Sequence, residues 1–331
     1  MSNLETEPAE LLCDGSTPIG TIAEAAVPVV ILEPRDVPLG GPRAMGVRRT
    51  LPQRRRSLIG AWCFVDHYGP DDVSVTGGMV VPPHPHTGLQ TASWLFAGEV
   101  EHRDSVGSLA LVRPGELNLM TAGAGISHSE VSTPTTTALH GVQLWIALPE
   151  LTRHQAPRFE NHVITPVTLN GVTLHVFIGS LAGQSAAALG DTPLVGAQVD
   201  LPAGAWIDLD VERAFEHGVL VDTGAVSVAG TPVAQNELGF VDAGRGRIRL
   251  ENTGQTHARV LLLGGEPLGE QIVMWWNFIG RSHEEITAWR AQWQAEVIDD
   301  TDAAGRFGHV DYHGAALPAP ALPTVRLKPR D

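Results

Sequence analysis

Short apolar or alternating runs, separated by Gly, Pro, Asn and Asp, recur along most of the chain. Seven of them, each five to seven residues long, are ASWLF, GSLALV, VQLWIAL, VTLHVFI, HGVLVD, GRIRLE and ARVLLLG. Runs of this length between turn-forming residues are typical of β-strands. Strands in this number predict an all-β protein, built as a sandwich or a barrel.

One segment near the end of the chain has helical spacing instead. Ser282 is placed to cap a helix, with Glu285 three residues further on. Apolar residues then recur at a helical period: Ile286, Trp289, Trp293 and Val297. We expect this helix to pack its tryptophans on a sheet, as part of a core.

The strand pattern pauses in the polar stretch LPELTRHQAPRFEN, residues 148–161, and resumes with a strand, an Asn-Gly turn and a second strand in VTLNGVTLHVFIG. This pause predicts two β domains joined near residues 150–158. The predicted division is a poorly ordered segment 1–27, an N-terminal domain 28–150, a C-terminal domain 155–298 and an extended Pro/Ala-rich tail 299–331.

Charge and hydropathy argue against two classes of partner. The 331 residues carry a formal net charge of −15, which opposes direct binding to nucleic acid, since cationic side chains supply most of that affinity. The basic cluster RRTLPQRRR, residues 48–56, is more typical of a solvated loop than of a phosphate site. No apolar run approaches the roughly 20 residues that span a bilayer, so we expect no membrane partner.

The cysteine count bears on the compartment. Cys13 and Cys63 are the only two cysteines, too few for a disulfide framework or a zinc site made of cysteines. The first residues, MSNLETEPAE, lack the pattern of a secretory signal. We therefore expect a cytoplasmic protein.

Two pairs of alternate residues carry the candidate chemistry. His84 and His86 lie in VPPHPHTGLQ, and His128 and Glu130 lie in MTAGAGISHSEV. On an extended strand, residues two apart point to the same face, and neutral imidazoles are good ligands for first-row metals. One such pair is a weak signal, because alternate histidines also occur by chance, but two pairs in one small β domain can converge on a single ion.

The remaining histidines are more typical of structural residues. His67, His102 and His140 lie beside predicted strands of the same domain, and His102 is also placed to line a cavity. The histidines of the second half include no His-x-His pair, so we expect no metal in that domain: His162, His175, His217, His257, His283, His309 and His313. Neither a phosphate-binding glycine loop nor a serine-hydrolase elbow is present.

Several separated motifs, taken in order, resemble the pirin family of the cupin superfamily. They are HPHTG, PGELNLMTAGAGISHSE, GVQLWIALPE and GGEPLGEQIVMWWNFIGRSHEEI. The resemblance runs from about residue 30 to about residue 298. It implies a bicupin, in which two tandem cupin β-barrels follow one another and only the N-terminal barrel binds a non-haem iron.

The resemblance also implies a ligand set. Matched position by position, the metal ligands are His84, His86, His128 and Glu130, with Fe(II) as the expected ion and another first-row divalent metal as the alternative. This chain departs from the family pattern where Gln90 stands in place of a glutamate. An amide is neither an anionic ligand nor a base, so we expect Gln90 to lie outside the ligand set.

Two functions of different class remain open. The first is a quercetin 2,3-dioxygenase-type oxidoreductase, which opens the ring of a flavonol with O2 and in which Glu130 accepts the flavonol proton, provided its pKa is raised. The second is a regulatory module, whose iron senses redox state and changes the surface offered to a protein partner. The open coordination positions left by four protein ligands favour the enzyme.

Overall fold

The computed structural model describes residues 28–39, 45–188, 190–301 and 305–329. The predicted poorly ordered segment 1–27 therefore lies outside the described residues, as does Cys13. The all-β prediction is confirmed, because antiparallel strands make up most of the described structure. Among the described residues, no helix combines the length and the apolar character that crossing a membrane requires.

Within its described residues, the first half of the chain forms twelve strands and one short helix. They are β1 (Val29–Leu32), β2 (Arg35–Leu39), β3 (Met45–Leu51), β4 (Trp62–Asp72), α1 (Val73–Thr76), β5 (Val80–His86), β6 (Leu89–Ala97), β7 (Val100–Asp104), β8 (Leu109–Val112), β9 (Glu116–Thr121), β10 (Ile126–Ser132), β11 (Ala138–Ala147) and β12 (Arg158–Val163).

The second half forms the remaining strands, a longer helix and one π-helical turn. They are β13 (Val167–Leu169), β14 (Val172–Ile178), β15 (Ser180–Leu181), β16 (Gln184–Ser185), β17 (Leu194–Leu201), β18 (Trp206–Asp210), β19 (Glu216–Thr223), β20 (Val226–Val228), β21 (Thr231–Val233), β22 (Leu238–Val241), β23 (Arg247–Asn252), β24 (Ala258–Gly265), β25 (Val273–Trp275), β26 (Phe278–Gly280), α2 (His283–Trp293) and the π-helical turn Gln294–Ile298.

The described strands form two barrels, each built from a seven-stranded sheet and a four-stranded sheet. In the N-terminal barrel the strand orders are β12-β9-β6-β11-β4-β3-β2 and β5-β10-β7-β8. In the C-terminal barrel they are β1-β22-β19-β24-β17-β14-β13 and β18-β23-β20-β21. The fold is thus the two-barrel, bicupin arrangement that the sequence motifs imply.

The barrels exchange one strand each, and these pairings cross the predicted limits of 28–150 and 155–298. Strand β1 precedes the N-terminal barrel in the chain but pairs with β22 of the C-terminal barrel. Strand β12, part of which the sequence places in the polar linker, pairs with β9 of the N-terminal barrel. Free sheet edges are covered in this way, and the partner strand is set by tertiary contact rather than by order in the chain.

A shared apolar layer joins the two seven-stranded sheets. Its buried side chains come from both barrels, with Trp62 and Leu144 on one side and Leu261 and Leu263 on the other. The Trp62 indole Nε1–H also donates to the carbonyl oxygen of Gly264 at 3.0 Å. Since strand side chains alternate between faces, each seven-stranded sheet presents one face to its own barrel and the other to the neighbouring barrel.

Helix α2 begins as predicted, and its tryptophans are buried. The Ser282 side chain accepts a hydrogen bond from the backbone N–H of Glu285 at 3.2 Å. Trp289 and Trp293 pack in a cluster with strands β25 and β26 and with residues of the tail, apart from the core of the C-terminal barrel. Residues 305–329 of the tail contain neither helix nor strand.

The basic cluster is not the solvated loop that the sequence favours. Arg48 and Arg49 lie within β3, and Arg49 is buried with 2% of its surface exposed. Its guanidinium forms an ion pair with the buried Asp66, with Nε and Oδ1 2.6 Å apart. Only the second part of the run, residues 52–56, lies outside regular structure.

Candidate metal centre

Strands β5 and β10 bring the two predicted pairs together inside the N-terminal barrel. They are antiparallel, and His84 lies opposite His128. The register shifts by one residue beyond this point, so that Glu130 lies opposite Val81. A bulge of this kind changes the direction of neighbouring side chains and is common next to functional sites.

The position of β5 explains why so many prolines surround His84 and His86. Strand β5 is the edge of its four-stranded sheet, and a proline at an edge removes no ladder hydrogen bond that the sheet needs. The tail lies along this edge, where the Leu317 N–H donates to the carbonyl oxygen of Pro83 at 2.8 Å. The strand that carries two predicted ligands is thereby held from both sides.

The three predicted histidine ligands face one another. Their ring centroids are 4.4 Å apart for His84 and His128, 5.0 Å for His86 and His128, and 5.0 Å for His84 and His86. The Nε2 atoms of His86 and His128 are 3.1 Å apart. One nitrogen from each ring lies within 4.8 Å of the others, which is the spacing of donors around one ion.

Burial keeps these imidazoles neutral. Desolvation lowers the pKa of His84 to about 4. Desolvation and then the adjacent imidazole of His84 hold the pKa values of His86 and His128 well below the ordinary range. A neutral imidazole keeps a lone pair on one ring nitrogen at pH 7, and that lone pair is what binds a metal.

The hydrogen bonding of His84 fits a metal ligand. Its Nδ1 lies 2.8 Å from the carbonyl oxygen of Pro82, which assigns the proton to Nδ1 and the lone pair to Nε2. That Nε2 is buried and has no hydrogen-bond partner within the described part of the chain. A buried acceptor left in this way is costly unless an ion or another donor meets it.

His102 belongs to this centre, although the sequence alone favoured a structural role for it. Its Nδ1 lies 3.3 Å from Nδ1 of His128, and its Nε2 lies 3.2 Å from Oδ2 of Asp104. If Nε2–H donates to the carboxylate, Nδ1 accepts from His128, and the lone pair of His128 is left on Nε2. Phe159 of β12 stacks on His102 at 4.6 Å. Strand β12 therefore holds the His102 ring in place between Asp104 and His128.

Glu130 completes the set from the other end of β10. Its carboxylate lies within 4.8 Å of ring nitrogens of His102 and His128, and only 2% of its surface is exposed. Burial of Glu130 opposes ionisation of its carboxylate, and a cation bound by the neighbouring imidazoles would favour the ionised form. The proton-accepting role, which needs a raised pKa, stays a prediction.

A stacked aromatic pair forms one wall of the centre. Trp145 meets His86 edge to face at 5.2 Å and stacks on Phe64 at 4.0 Å. The buried guanidinium of Arg49 lies 4.2 Å above the other side of Phe64. Gln90, by contrast, uses its amide Nε2 to donate to Oγ1 of Thr121 at 2.9 Å.

Two of the other predicted histidines point away from this centre. His67 on β4 and His140 on β11 lie on the opposite face of the seven-stranded sheet, where they meet Asp222 of the C-terminal barrel. No local pattern in the sequence pairs these residues, since Asp222 is 155 positions from His67. Ser93, whose Oγ lies 3.4 Å from Oε1 of Glu130, was likewise not predicted.

Known proteins match the chain over both barrels. The Pirin family model matches residues 44–146, and the model of the Pirin C-terminal cupin domain matches residues 196–299. A Pseudomonas aeruginosa protein, named provisionally as a quercetin 2,3-dioxygenase, is 42% identical over 291 residues, which are 87% of this chain and 89% of the relative.

Solved structures show the same fold. A crystal structure of quercetin 2,3-dioxygenase from Acinetobacter baumannii covers 90% of this chain and 97% of its own, with 37% identity and a TM-score of 0.83. The bacterial pirin YhhW from Escherichia coli, in complex with nickel(II), covers 72% of this chain and 99% of its own, with 20% identity and a TM-score of 0.56. At that identity the second likeness concerns the fold alone. The two family models match both barrels, and the Pseudomonas relative is 42% identical over 87% of the chain. This chain therefore belongs to the pirin family.

Proposed function

We propose that this chain is a quercetin 2,3-dioxygenase-type oxidoreductase, whose metal is held in the N-terminal barrel by His84, His86, His128 and Glu130. The observation that carries the proposal is the convergence of three buried imidazoles, with the carboxylate of Glu130 within 4.8 Å of a ring nitrogen of His128. Fe(II) is the ion proposed, and another first-row divalent metal is the alternative. The nickel complex of one structural neighbour supports a first-row metal in this fold.

The side chains of the centre divide the work. When bound, the metal supplies a Lewis acid with open positions, at which a flavonol and O2 are activated. His84 is oriented by the Pro82 carbonyl, and His128 is oriented through His102. Glu130 holds the ion and accepts the proton of the flavonol hydroxyl. The aromatic wall at Trp145 offers an apolar surface to a planar substrate.

One observation favours the second candidate function, a redox-sensing regulatory module. The four proposed ligands are buried, with at most 2% of each surface exposed. Electron transfer to or from a buried ion needs no direct contact between the metal and a bulky reactant. In this function the iron changes its oxidation state. The protein surface changes with it, and a protein partner recognises the changed surface.

A reconstitution experiment separates the two. The protein is loaded anaerobically with Fe(II), exposed to air with quercetin, and followed by oxygen uptake and by loss of the quercetin absorbance. We expect both signals in the wild type and in the control His257→Ala, an exposed histidine of the other barrel, and neither signal in His128→Ala. A fully loaded wild type that consumes neither oxygen nor flavonol would overturn the enzyme proposal in favour of the regulator.

A further inference from the structure

A second histidine cluster lies between the two barrels. Nε2 of His67 lies 2.8 Å from Oδ1 of Asp222, and Nε2 of His140 lies 2.6 Å from the same oxygen. The two Nε2 atoms are 3.4 Å apart. All three side chains are buried, with 1%, 7% and 0% of their surfaces exposed, respectively.

Irregular strand pairing brings these three residues to one point. The β11 pairings shift register beside His140, both with β4 and with β6. The pairing of β19 with β24 shifts between Val221 and Thr223, which leaves Asp222 outside the ladder. Because bulges aim side chains and gather around functional sites, three of them at one buried cluster need more explanation than packing alone.

The surroundings hold the two rings and the carboxylate in place. Phe96 meets the His140 ring edge to face at 4.9 Å and the His67 ring at 6.4 Å. The guanidinium of Arg259 lies over Phe96 at 4.6 Å and donates from Nη1 to Oδ2 of Asp222 at 3.2 Å. Oδ1 of Asp222 is therefore turned towards the histidines while Oδ2 is anchored, as ligating carboxylates usually are.

The protonation states of His67 and Asp222 suit metal ligands. Desolvation lowers the pKa of His67 below its ordinary value despite the nearby carboxylate. Burial opposes ionisation of Asp222, but the hydrogen bonds from His140 and His67 outweigh it and hold its pKa well below the usual range. The cluster thus offers two imidazole nitrogens and one carboxylate oxygen.

The distances within the cluster can be compared with those around a metal. Both rings turn the same nitrogen to the same oxygen, and donors around a tetrahedral zinc ion with bonds of about 2.0–2.1 Å are about 3.3 Å apart. The Nε2–Nε2 distance of 3.4 Å already matches this spacing. The two nitrogen–oxygen distances, 2.8 and 2.6 Å, are those of hydrogen bonds, and a bound ion would open them by about 0.5 and 0.7 Å.

We propose that His67, His140 and Asp222 bind a second divalent ion, of the Zn²⁺ class, that joins the two barrels. Two histidines and a carboxylate form a common zinc ligand set, with a fourth position left for water. Arg259 and Arg48, whose charges act on Asp222, weaken this site relative to the centre of the N-terminal barrel. The barrel centre therefore fills first and the interface site second.

Metal counting in the full-length chain tests the proposal. The probe is Zn(II), added to metal-free protein, with bound metal measured after removal of excess. We expect two ions in the wild type, one in His128→Ala, one in His140→Ala and none in the double variant. The control His257→Ala removes an exposed histidine beside a carboxylate of the C-terminal barrel and keeps two ions.

A second variant keeps the test decisive if His140→Ala fails to fold. Asp222→Asn preserves the shape of the side chain and removes its charge, and we expect it to lose the interface ion in the His128→Ala background. Zn(II) should also raise the Tm of His128→Ala but not that of the variant that carries both changes. A folded His128→Ala protein that binds no Zn(II), or binding that Asp222→Asn leaves unchanged, would overturn the site and leave a hydrogen-bonded clamp.

Discussion

The two barrels share one architecture and differ in what their inner faces carry. Each combines a seven-stranded with a four-stranded sheet. Among the described residues, the apolar core of the C-terminal barrel contains 21 buried Val, Leu, Ile and Ala side chains, and His217 is buried on the same strand face. The inside of the N-terminal barrel instead holds the proposed ligands together with buried polar neighbours such as Ser93 and Gln143. The fold thus supplies the cavity, and side chains on alternate strand positions decide whether it carries chemistry.

The comparison also shows what a buried histidine requires. His217 lies on the same strand face as Val219 and Val221, inside the C-terminal barrel, and is fully buried. Neither of its ring nitrogens has a hydrogen-bond partner within the described residues. In the N-terminal barrel, His84 and His128 have carbonyl or imidazole partners that fix which nitrogen is free. A lone buried histidine therefore carries an unmet desolvation cost, whereas three oriented histidines form a candidate metal site.

The largest effect is expected from His128→Ala, which removes the ring that contacts both His84 and His86. With two of three imidazoles left, we expect the tightly bound iron of the barrel centre to fall from one ion per chain to nearly none, measured by elemental analysis after Fe(II) loading. The matched variant His217→Leu, in the other barrel, should keep its iron. Equal iron content in the two variants would contradict the proposal that the metal is bound in the N-terminal barrel.

Glu130→Gln separates metal binding from proton transfer at the proposed centre of the N-terminal barrel. The amide keeps the shape and one oxygen donor but takes up no proton, so we expect most of the metal to remain while turnover falls by about 10²–10⁴-fold, as for a lost general base. Iron content and oxygen uptake are measured on the same sample. Ser93→Ala, which removes only the hydroxyl beside Glu130, should change turnover little.

The opposite result for Glu130→Gln is equally informative. If metal and turnover fall in parallel, Glu130 acts as a ligand and not as a base. A variant that keeps full turnover would remove the proposed proton acceptor and leave the dioxygenase class standing.

Core packing provides a prediction for the apolar barrel. Leu262 is fully buried there, and Leu262→Ala should lower the free energy of unfolding by about 2–5 kcal/mol without changing the metal content of the barrel centre. The matched variant Leu89→Ala lies in the cluster that contains Trp145, which contacts His86, and should weaken metal binding as well. Denaturant unfolding and metal titration of both variants check this, and a loss of iron in Leu262→Ala would show that the two barrels are coupled.

The sequence predicted the local features and missed those that depend on distant strands. The turn at Asn170 and Gly171, both with positive φ, and the cap at Ser282 follow from short-range chemistry. The pairs on β5 and β10 were recognisable because alternate residues share a face. The contact of His67 with Asp222 depends on how two separate sheets stack, and the pairing of β12 with β9 depends on which free edge is nearest, and neither is encoded in a local pattern.

The smallest effect is expected from a change of pH, which should lower the free energy of unfolding through the lone histidine of the C-terminal barrel, His217. Burial lowers the pKa of His217 to about 4, whereas an unfolded histidine titrates near 6.5. Between these values the unfolded state binds more protons than the folded state, so the free energy of unfolding falls as the pH is lowered from about 6.5 to 4. The pKa difference makes this loss about 3 kcal/mol by pH 4.

Since other buried histidines also titrate, the measured quantity is the difference between wild type and His217→Leu in denaturant unfolding at several pH values. We expect the His217→Leu curve to be flatter than that of the wild type by this amount, and the control His257→Leu, at an exposed position, to follow the wild type. Parallel curves for wild type and His217→Leu would show that the buried ring finds a proton-accepting or proton-donating partner, and the contrast between a lone and a partnered histidine would then fail.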